Sequence, residues 1–311
     1  MFMLVTSGLP IAVGIGLTVG GVLAHADARR DAVTDAHAGA PDRSTPRRGR
    51  VAAAITAAGW LVAALLSLLS IGTFQWWPTV LPIAAGIVAC VAAAHLPVTR
   101  PSDTRPVLDL RHRGALTFTS RSEVLVAAVA SAVLAVTVIA AGAMSSDDGE
   151  GRWAFITIPV GDDGTASTEF FGWYYGVPVL TAALVLAVVA LTGLQRIARV
   201  PRFHDDRVAD DLIRRGLSTA VLRSATAALL ITIGTAWELV ARASQLRTSI
   251  PRTHIGTIEF GTSFAAAGPV LDVAAHCSVG LGLALLVAQL LRGRRRRTSA
   301  AVAHDPRRAR V

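Results

Sequence analysis

The stretch Val124–Met144 has the sequence VLVAAVASAVLAVTVIAAGAM and contains no charged side chain. As a helix it would be about 30 Å long, which matches the hydrocarbon thickness of a lipid bilayer. Six further stretches of similar character are Met3–Ala24, Val51–Thr73, Pro78–Pro97, Phe171–Gln195, Ala220–Ala241 and Phe264–Leu291. The sequence therefore predicts an all-α, polytopic transmembrane helix bundle of about seven spans, folded as a single membrane domain.

The overall composition supports the same class. Hydrophobic residues make up 52% of the 311 residues, and the mean hydropathy is +0.52. A water-soluble enzyme of this length interrupts its apolar runs every few residues with turn signals, and this chain does not. The composition thus argues against a soluble α/β enzyme.

Arginine is distributed unevenly among the connections between the spans. The connections after the first, third and fifth spans and the tail 292–311 are rich in arginine, whereas the other connections contain only Arg152, Arg242, Arg247 and Arg252. Positively charged connections stay in the cytoplasm. We therefore predict an N-terminus outside the cell and a basic C-terminal tail in the cytoplasm.

The net charge of +9 is compatible with a nucleic-acid partner, but the position of the arginines favours lipid. Arginines beside a membrane span contact anionic headgroups of the cytoplasmic leaflet. The residues that we expect to make this contact are Arg294, Arg295, Arg296, Arg297, Arg214 and Arg215. The last two lie in Arg207–Arg215, which the spacing predicts to be an amphipathic helix at the membrane surface, with docking of a cytoplasmic protein as the alternative. No nucleic-acid partner is expected.

The first span has an alternative interpretation as a secretory signal, because small residues follow it at Ala24–Ala28. A signal peptide begins with a positively charged segment, however, and no basic residue precedes this span. We expect an uncleaved helix.

An internal duplication is the most specific pattern in the sequence. Asp109-Leu110 with Arg113-Gly114 matches Asp211-Leu212 with Arg215-Gly216 at a constant offset, and Ile158-Pro159 resembles Ile250-Pro251. These matches predict two repeat units, 98–195 and 200–291. Repeats of equal orientation would be related by an axis along the membrane normal.

Three charged residues lie inside the spans, where charge is costly and often functional. Arg223 is near the cytoplasmic end of the sixth span, so we expect its side chain to extend to the lipid headgroups. Glu238 is four residues before Arg242, which favours an interfacial ion pair.

The third of these charges, Asp272, shares one face of the seventh span with His276 because four residues separate them. Together with Glu238, this pair is the candidate intramembrane polar site, able to relay a proton or bind a cation. The structural alternative, which we favour, starts the helix at Pro269, so that Asp272 lies in its first turn close to water. His276 would then be a polar packing residue that is bonded across helices.

Several weaker patterns concern the outer loops and helix contacts. Trp153–Pro159 and Ile255–Phe260 alternate in a way that predicts two short strands, joined in a small external cap. Gly16 and Gly20 form a small-residue motif for close helix contact, within one chain or between two. Aromatic residues at the predicted outer boundary indicate an interfacial belt: Trp76, Trp77, Phe170, Phe171, Trp173, Tyr174 and Tyr175.

No catalytic, metal-binding or cofactor-binding pattern is present. Cys90 and Cys277 each lie within a span and form no Cys-x-x-Cys site, and the chain has no lysine for a P-loop or a Schiff base. The sequence therefore predicts neither an enzyme nor a cofactor. We expect an accessory or regulatory protein that contacts a membrane or cytoplasmic partner, or alternatively a small transporter or permease subunit with a pathway at Asp272, His276 and Glu238.

The run Phe171-Gly172-Trp173-Tyr174-Tyr175-Gly176-Val177-Pro178, in an Ala- and Arg-rich setting, resembles uncharacterised multi-pass membrane proteins of actinobacteria. The resemblance covers mainly the second half of the chain. It implies a bacterial plasma-membrane location and carries no activity and no functional residues.

Overall fold

The computed structural model describes residues 2–35, 44–69, 75–95, 114–160, 164–200, 207–252 and 256–292. Within these residues it contains seven α-helices, each long and apolar enough to cross a membrane. They are α1 (Phe2–Asp35), α2 (Ser44–Leu69), α3 (Trp77–His95), α4 (Arg121–Met144), α5 (Trp173–Arg199), α6 (Arg207–Ser244) and α7 (Gly268–Leu291). Each predicted span corresponds to one helix, so the structure supports an all-α bundle and a multi-pass membrane protein.

Two helices extend well beyond the predicted apolar stretches. Helix α1 continues to Asp35 instead of ending near Ala24, and α6 begins at Arg207 instead of Ala220. Hydropathy marks where apolar sequence ends, but the backbone hydrogen bonds of a helix continue wherever residues such as alanine, arginine and leucine favour them. The segment predicted as a separate surface helix is therefore the first part of α6.

Helix α6 forms the centre of the bundle. It packs against α2, α3, α4, α5 and α7, and 78% of its most apolar segment is buried. In the other six helices this fraction lies between 22% and 39%. Helix α1 lies at the periphery and packs chiefly on α7.

Glycines allow the closest helix contacts and reveal the helix directions. A Cβ atom at Gly234 would lie 2.7 Å from the backbone oxygen of Ala275, and one at Gly282 would lie 3.0 Å from that of Ala227. Residue numbers on α6 fall as those on α7 rise, so the two helices are antiparallel. Gly16 and Gly20 of α1 pack on α7, which places the predicted small-residue motif inside one chain.

Two β-hairpins lie where α4 leads to α5 and where α6 leads to α7. The first sheet contains β1 (Ser146–Asp147), β2 (Trp153–Val160) and β3 (Gly164–Glu169), and the second contains β4 (Arg247–Arg252) and β5 (Gly256–Gly261). We call this side of the bundle the hairpin end. The other side, where α5 leads to α6 and where α7 ends, is called the arginine end.

The two predicted strands correspond to β2 and β5, and each lies in a hairpin of its own. Each strand pairs antiparallel with a neighbour in its own hairpin, β2 with β3 and β5 with β4. Strands β2 and β5 contact each other without sharing a sheet. The two partner strands are polar, with sequences GTASTE and RTSIPR, and therefore give no alternating apolar signal.

Candidate functional site

The predicted polar pair of the seventh span lies on α7. The Nδ1 atom of His276 lies 2.7 Å from the backbone oxygen of Asp272 and 3.8 Å from its Oδ1 atom. Both side chains are partly buried and share one helix face, as their spacing predicted. Helix α7 begins at Gly268, so Asp272 lies just beyond the first turn and not within it. The imidazole contacts the backbone of its own helix, and no hydrogen bond joins it to another helix within the described residues.

Glu238, the third member of the candidate polar site, forms an ion pair with Arg242 one turn further along α6. This pair was predicted. Among the described residues, no hydrogen bond or ion pair joins Glu238 to Asp272 or His276. The structure therefore brings two of the three residues together and leaves the third in a separate pair.

Arg214 occupies a buried position at the arginine end. Its Nε donates to Asp210 Oδ2 at 2.8 Å, and its two Nη atoms donate to the backbone oxygens of Ile197 and Val200, the second at 2.8 Å. The last carbonyls of a helix have no partner within it, so the guanidinium caps the end of α5. The same group lies over the ring of Phe118, 5.5 Å from its centroid.

The predicted lipid contact of Arg214 is therefore wrong. Its side chain is fully enclosed, because satisfying the carbonyls at the end of α5 draws it inward. The neighbouring Arg215 is exposed and stays free to reach headgroups or solvent. The other predicted lipid-contacting residues, Arg294–Arg297, lie outside the described residues.

A buried group of charges joins four helices at the arginine end. The Nη1 and Nη2 atoms of Arg223 (α6) donate to the two carboxylate oxygens of Asp27 (α1) at 2.5 and 3.2 Å, and its Nε donates to Glu123 (α4) at 3.2 Å. Arg292, directly after α7, lies 3.1 Å from the same Asp27 carboxylate. Thr219 donates to the second oxygen of Glu123 at 3.1 Å. We call Asp27, Glu123, Arg223 and Arg292 the four-helix ion cluster.

The charges of this cluster balance, with two carboxylates and two guanidiniums. The exposed fractions of its side chains are 8% for Asp27, 13% for Arg223, 20% for Glu123 and 25% for Arg292. An ion pair so enclosed interacts more strongly than a surface pair because little water screens it. The expectation that Arg223 extends to lipid headgroups is therefore wrong: its charge is satisfied inside the bundle.

Sequence reasoning missed this cluster because its members are far apart in the chain. Arg223 is separated from Asp27 by 196 residues and from Glu123 by 100. One signal was available: all four residues lie near span ends that the arginine pattern places at the same side of the membrane. Asp27 and Glu123 are the acids nearest to the ends of the first and fourth spans on that side, which makes them candidates for pairing with Arg223.

A second polar contact lies close to this cluster in the chain. Gln289 of α7 is buried, and its Nε2 donates to the backbone oxygen of Gly49 (α2) at 2.8 Å and approaches Ser224 Oγ (α6) at 3.4 Å. A Cβ atom at Gly49 would lie at ordinary van der Waals distance from Gln289 and Ala220, at 3.6 and 3.7 Å, so α2 packs close to both helices here. The arginine end is thus held together by polar contacts as well as by apolar packing.

The hairpin end contains its own polar contacts. Arg152 pairs with Asp148 and Glu150, each at 2.6 Å. Desolvation opposes ionisation of Asp148, but hydrogen bonds from the Arg152 side chain and from two backbone N–H groups lower its pKa to about 2. Tyr175, at the start of α5, donates to Glu169 of β3 at 2.6 Å. The Tyr175 hydrogen bond attaches the first sheet to α5, and the Arg152 pairs hold the turn between β1 and β2.

Within the described part of the chain, no group of three or more His, Cys, Asp or Glu residues is placed to hold a metal ion. Comparison with protein-family models, curated protein sequences and solved structures finds no match to this chain. The class is accordingly defined by the structure alone: an all-α bundle of seven helices in the described residues, each suited to span a membrane.

Proposed function

We propose that this chain is an accessory or regulatory protein of the bacterial plasma membrane, which acts by binding another protein and performs no turnover chemistry within its spans. In this proposal the hairpin end lies outside the cell, and the arginine end faces the cytoplasm and its anionic lipids, as the positive-inside rule requires.

The observation that carries the proposal is how the charges in the helices are used. The described charged pairs Arg223 with Asp27, Arg242 with Glu238 and Arg214 with Asp210 neutralise one another by direct contact. Ionisable residues that conduct an ion or a proton usually line a cavity or a continuous path across the membrane. Because these charges neutralise each other in pairs at the two ends of the bundle, a structural role is favoured over a role in ion or proton conduction.

The hairpin end is the part of the molecule that we propose contacts the partner. It presents β3 as an edge strand of the first sheet, and Trp153 on β2 is 48% exposed. Exposed strand edges and exposed tryptophans are both common features of protein-binding surfaces.

The alternative is a small transporter or permease subunit with Asp272, His276 and Glu238 in its pathway. It is supported by the partial exposure of Asp272 and by the position of His276 on the same face of α7. The separate pairing of Glu238 with Arg242 argues against a continuous path.

We also infer that the predicted duplication is real. In the first hairpin Pro159 pairs with Thr165, and in the second Pro251 pairs with Thr257, at the same step before the turn. In both halves a helix leads into a hairpin, which leads into the next helix. The two hairpins therefore agree in register as well as in sequence.

Two measurements on the full chain test the proposed function. In proteoliposomes with an imposed pH gradient, an internal pH dye should report no more proton movement than in empty vesicles, for both the wild type and Asp272→Asn. In living cells, a photo-crosslinking residue at Trp153 should capture one discrete protein, and the same residue at lipid-exposed Val136 should not.

The captured protein is then purified and titrated onto the chain in nanodiscs. Saturable binding that is weakened by Trp153→Ala and unchanged by Val136→Ala would support the proposal. Proton movement above the empty-vesicle level that Asp272→Asn abolishes would overturn it and favour the transporter.

A further inference from the structure

The four-helix ion cluster connects helices that otherwise pack on different neighbours. Helix α1 packs chiefly on α7, and α4 packs on α5 and α6. The guanidinium of Arg223 contacts Asp27 of α1 on one side and Glu123 of α4 on the other. Arg223 of the central helix therefore contacts both peripheral helices at the arginine end, and Arg292 gives Asp27 a second partner there.

Besides the Asp27–Arg292 pair, α1 makes close contacts with α7 further along the helix, away from the cluster. Gly16 and Gly20 approach Leu283, Ala284 and Val287 so closely that an added Cβ would clash. From Gly20 the helix continues past Asp27 to Asp35. At about 1.5 Å per residue, the portion beyond Gly20 is about 22 Å long, and the ion cluster restrains it roughly in its middle.

The ion pairs that restrain α1 can be broken without unfolding the bundle, for an energetic reason. Removing two charges from water costs about as much as their attraction returns, so a buried ion pair often adds less stability than apolar residues of the same volume. Close glycine packing on α7 provides a fixed contact, whereas the ion pair provides one that a competing charge can replace. Buried ionic groups of this kind are best attested where they select between arrangements.

We propose that the four-helix ion cluster is a conformational lock on α1. While Arg223 bridges Asp27 and Glu123, the arginine end of α1 is held against α6 and beside α4. When Arg223 releases Asp27, α1 tilts about its glycine contact with α7, and its extension towards Asp35 moves away from α4. The lock thus links the position of the α1 extension to the packing of the spans, and it stands independently of the proposed partner.

Spin-label distance measurements in nanodiscs test the lock. In a background in which Cys90 and Cys277 are replaced by alanine, labels are placed at Arg29 on α1 and Leu125 on α4, which are both exposed. A tilt of about 20° moves Arg29, about 13 Å beyond the pivot at Gly20, by about 4 to 5 Å. Arg223→Gln should therefore lengthen the mean distance by about that amount and broaden its distribution.

Three controls make the measurement specific. A second label pair at Leu17 and Val136, level with the glycine contact or towards the hairpin end, should keep its distance in Arg223→Gln. Arg242→Gln, which breaks the ion pair at the other end of the same helix, should leave the Arg29–Leu125 distance unchanged. Arg223→Lys retains the charge but cannot hold two carboxylates with a planar fork, so its shift should be smaller than that of Arg223→Gln.

The proposal is overturned if Arg223→Gln folds and keeps the wild-type Arg29–Leu125 distribution, even with a lower melting temperature, because the cluster then only stabilises. If Arg223→Gln does not fold, Asp27→Asn replaces it, since that change removes the α1 contact and leaves Arg223 paired with Glu123. An unchanged Arg29–Leu125 distance distribution in Asp27→Asn would likewise overturn the proposal. Failure of the partner-binding experiment has no bearing on these distances.

Discussion

Replacing Gly234 by alanine should weaken the contact between α6 and α7, which pack antiparallel at close range. The added Cβ would lie 2.5 Å from Val279 Cγ2 and 2.7 Å from the backbone oxygen of Ala275. Ordinary contacts between carbon atoms are about 3.5 to 4.0 Å. The valine methyl can move only with difficulty because β-branched side chains are stiff, and the carbonyl can move only with its helix.

The two helices must therefore separate by roughly 0.5 to 1 Å around this point. Overpacking of this kind typically costs about 1 to 3 kcal/mol, and in lipid it acts on the packing that drives helix association. Alanine also favours a helix over glycine by about 1 kcal/mol, which partly conceals the loss. Gly21→Ala is the matched control, because a Cβ there has no neighbouring atom within 4 Å and only the propensity gain is left.

Equilibrium unfolding by SDS in mixed micelles, followed by circular dichroism, measures both variants. The free energy of unfolding of Gly234→Ala should lie about 1 to 3 kcal/mol below that of Gly21→Ala. Gly282→Ala should behave like Gly234→Ala, since its Cβ would lie 3.0 Å from the backbone oxygen of Ala227. Equal stabilities for Gly234→Ala and Gly21→Ala would refute the close approach of α6 and α7.

Two further predictions concern charged residues at opposite ends of the bundle. Arg214→Gln should lower the free energy of unfolding by about 3 to 5 kcal/mol in the same SDS titration, because it leaves a buried carboxylate and the carbonyls at the end of α5 without their donor. As the control, Arg215→Gln at the exposed neighbouring position should change this free energy by less than about 0.5 kcal/mol. Similar losses in both variants would contradict the capping role of Arg214. At the hairpin end, the folded-state pKa of Asp148 lies near 2, below its ordinary value, so its hydrogen bonds should stabilise the turn fully above about pH 4 and be lost as the pH falls towards 2. Hydrogen exchange of the turn up to Arg152 should follow that window, and Asp148→Asn should lose the protection at pH 7; protection that persists in the variant would show that the carboxylate does not hold the turn.

The number and approximate position of the helices could be predicted because lipid as a solvent requires long apolar helices. The ends of α1 and α6 could not, since Asp35 and Arg207 lie in polar sequence where hydropathy carries no information about helix formation. The partner strands β3 and β4 were missed for a related reason. Their residues are mostly polar and show no apolar alternation, so only pairing with β2 and β5 identifies them as strands.

The charged sites also differ in how far they could be predicted, according to whether their partners lie on the same helix. The Glu238–Arg242 pair was predictable because both residues lie on one helix at a spacing that brings them together. The fates of Arg214 and Arg223 depended on partners from other helices, which a single helix does not reveal. In both cases the general expectation that arginine extends to lipid headgroups was outweighed by specific acceptors within reach inside the bundle.

The enclosed position of α6 has a consequence for how the chain enters the membrane during synthesis. Its apolar segment has a mean hydropathy of 1.5, against 2.7 for α4 and 2.4 for α5, and it contains charged residues that are costly in hydrocarbon. On leaving the ribosome, this segment should partition into lipid less readily than α4 or α5. Helices α2 to α5 precede it in the chain and pack on it in the finished protein, so until α6 is made their central position is unfilled. A nascent chain that stops before Arg207 would lack that centre, and it should be a substrate for membrane quality-control proteases.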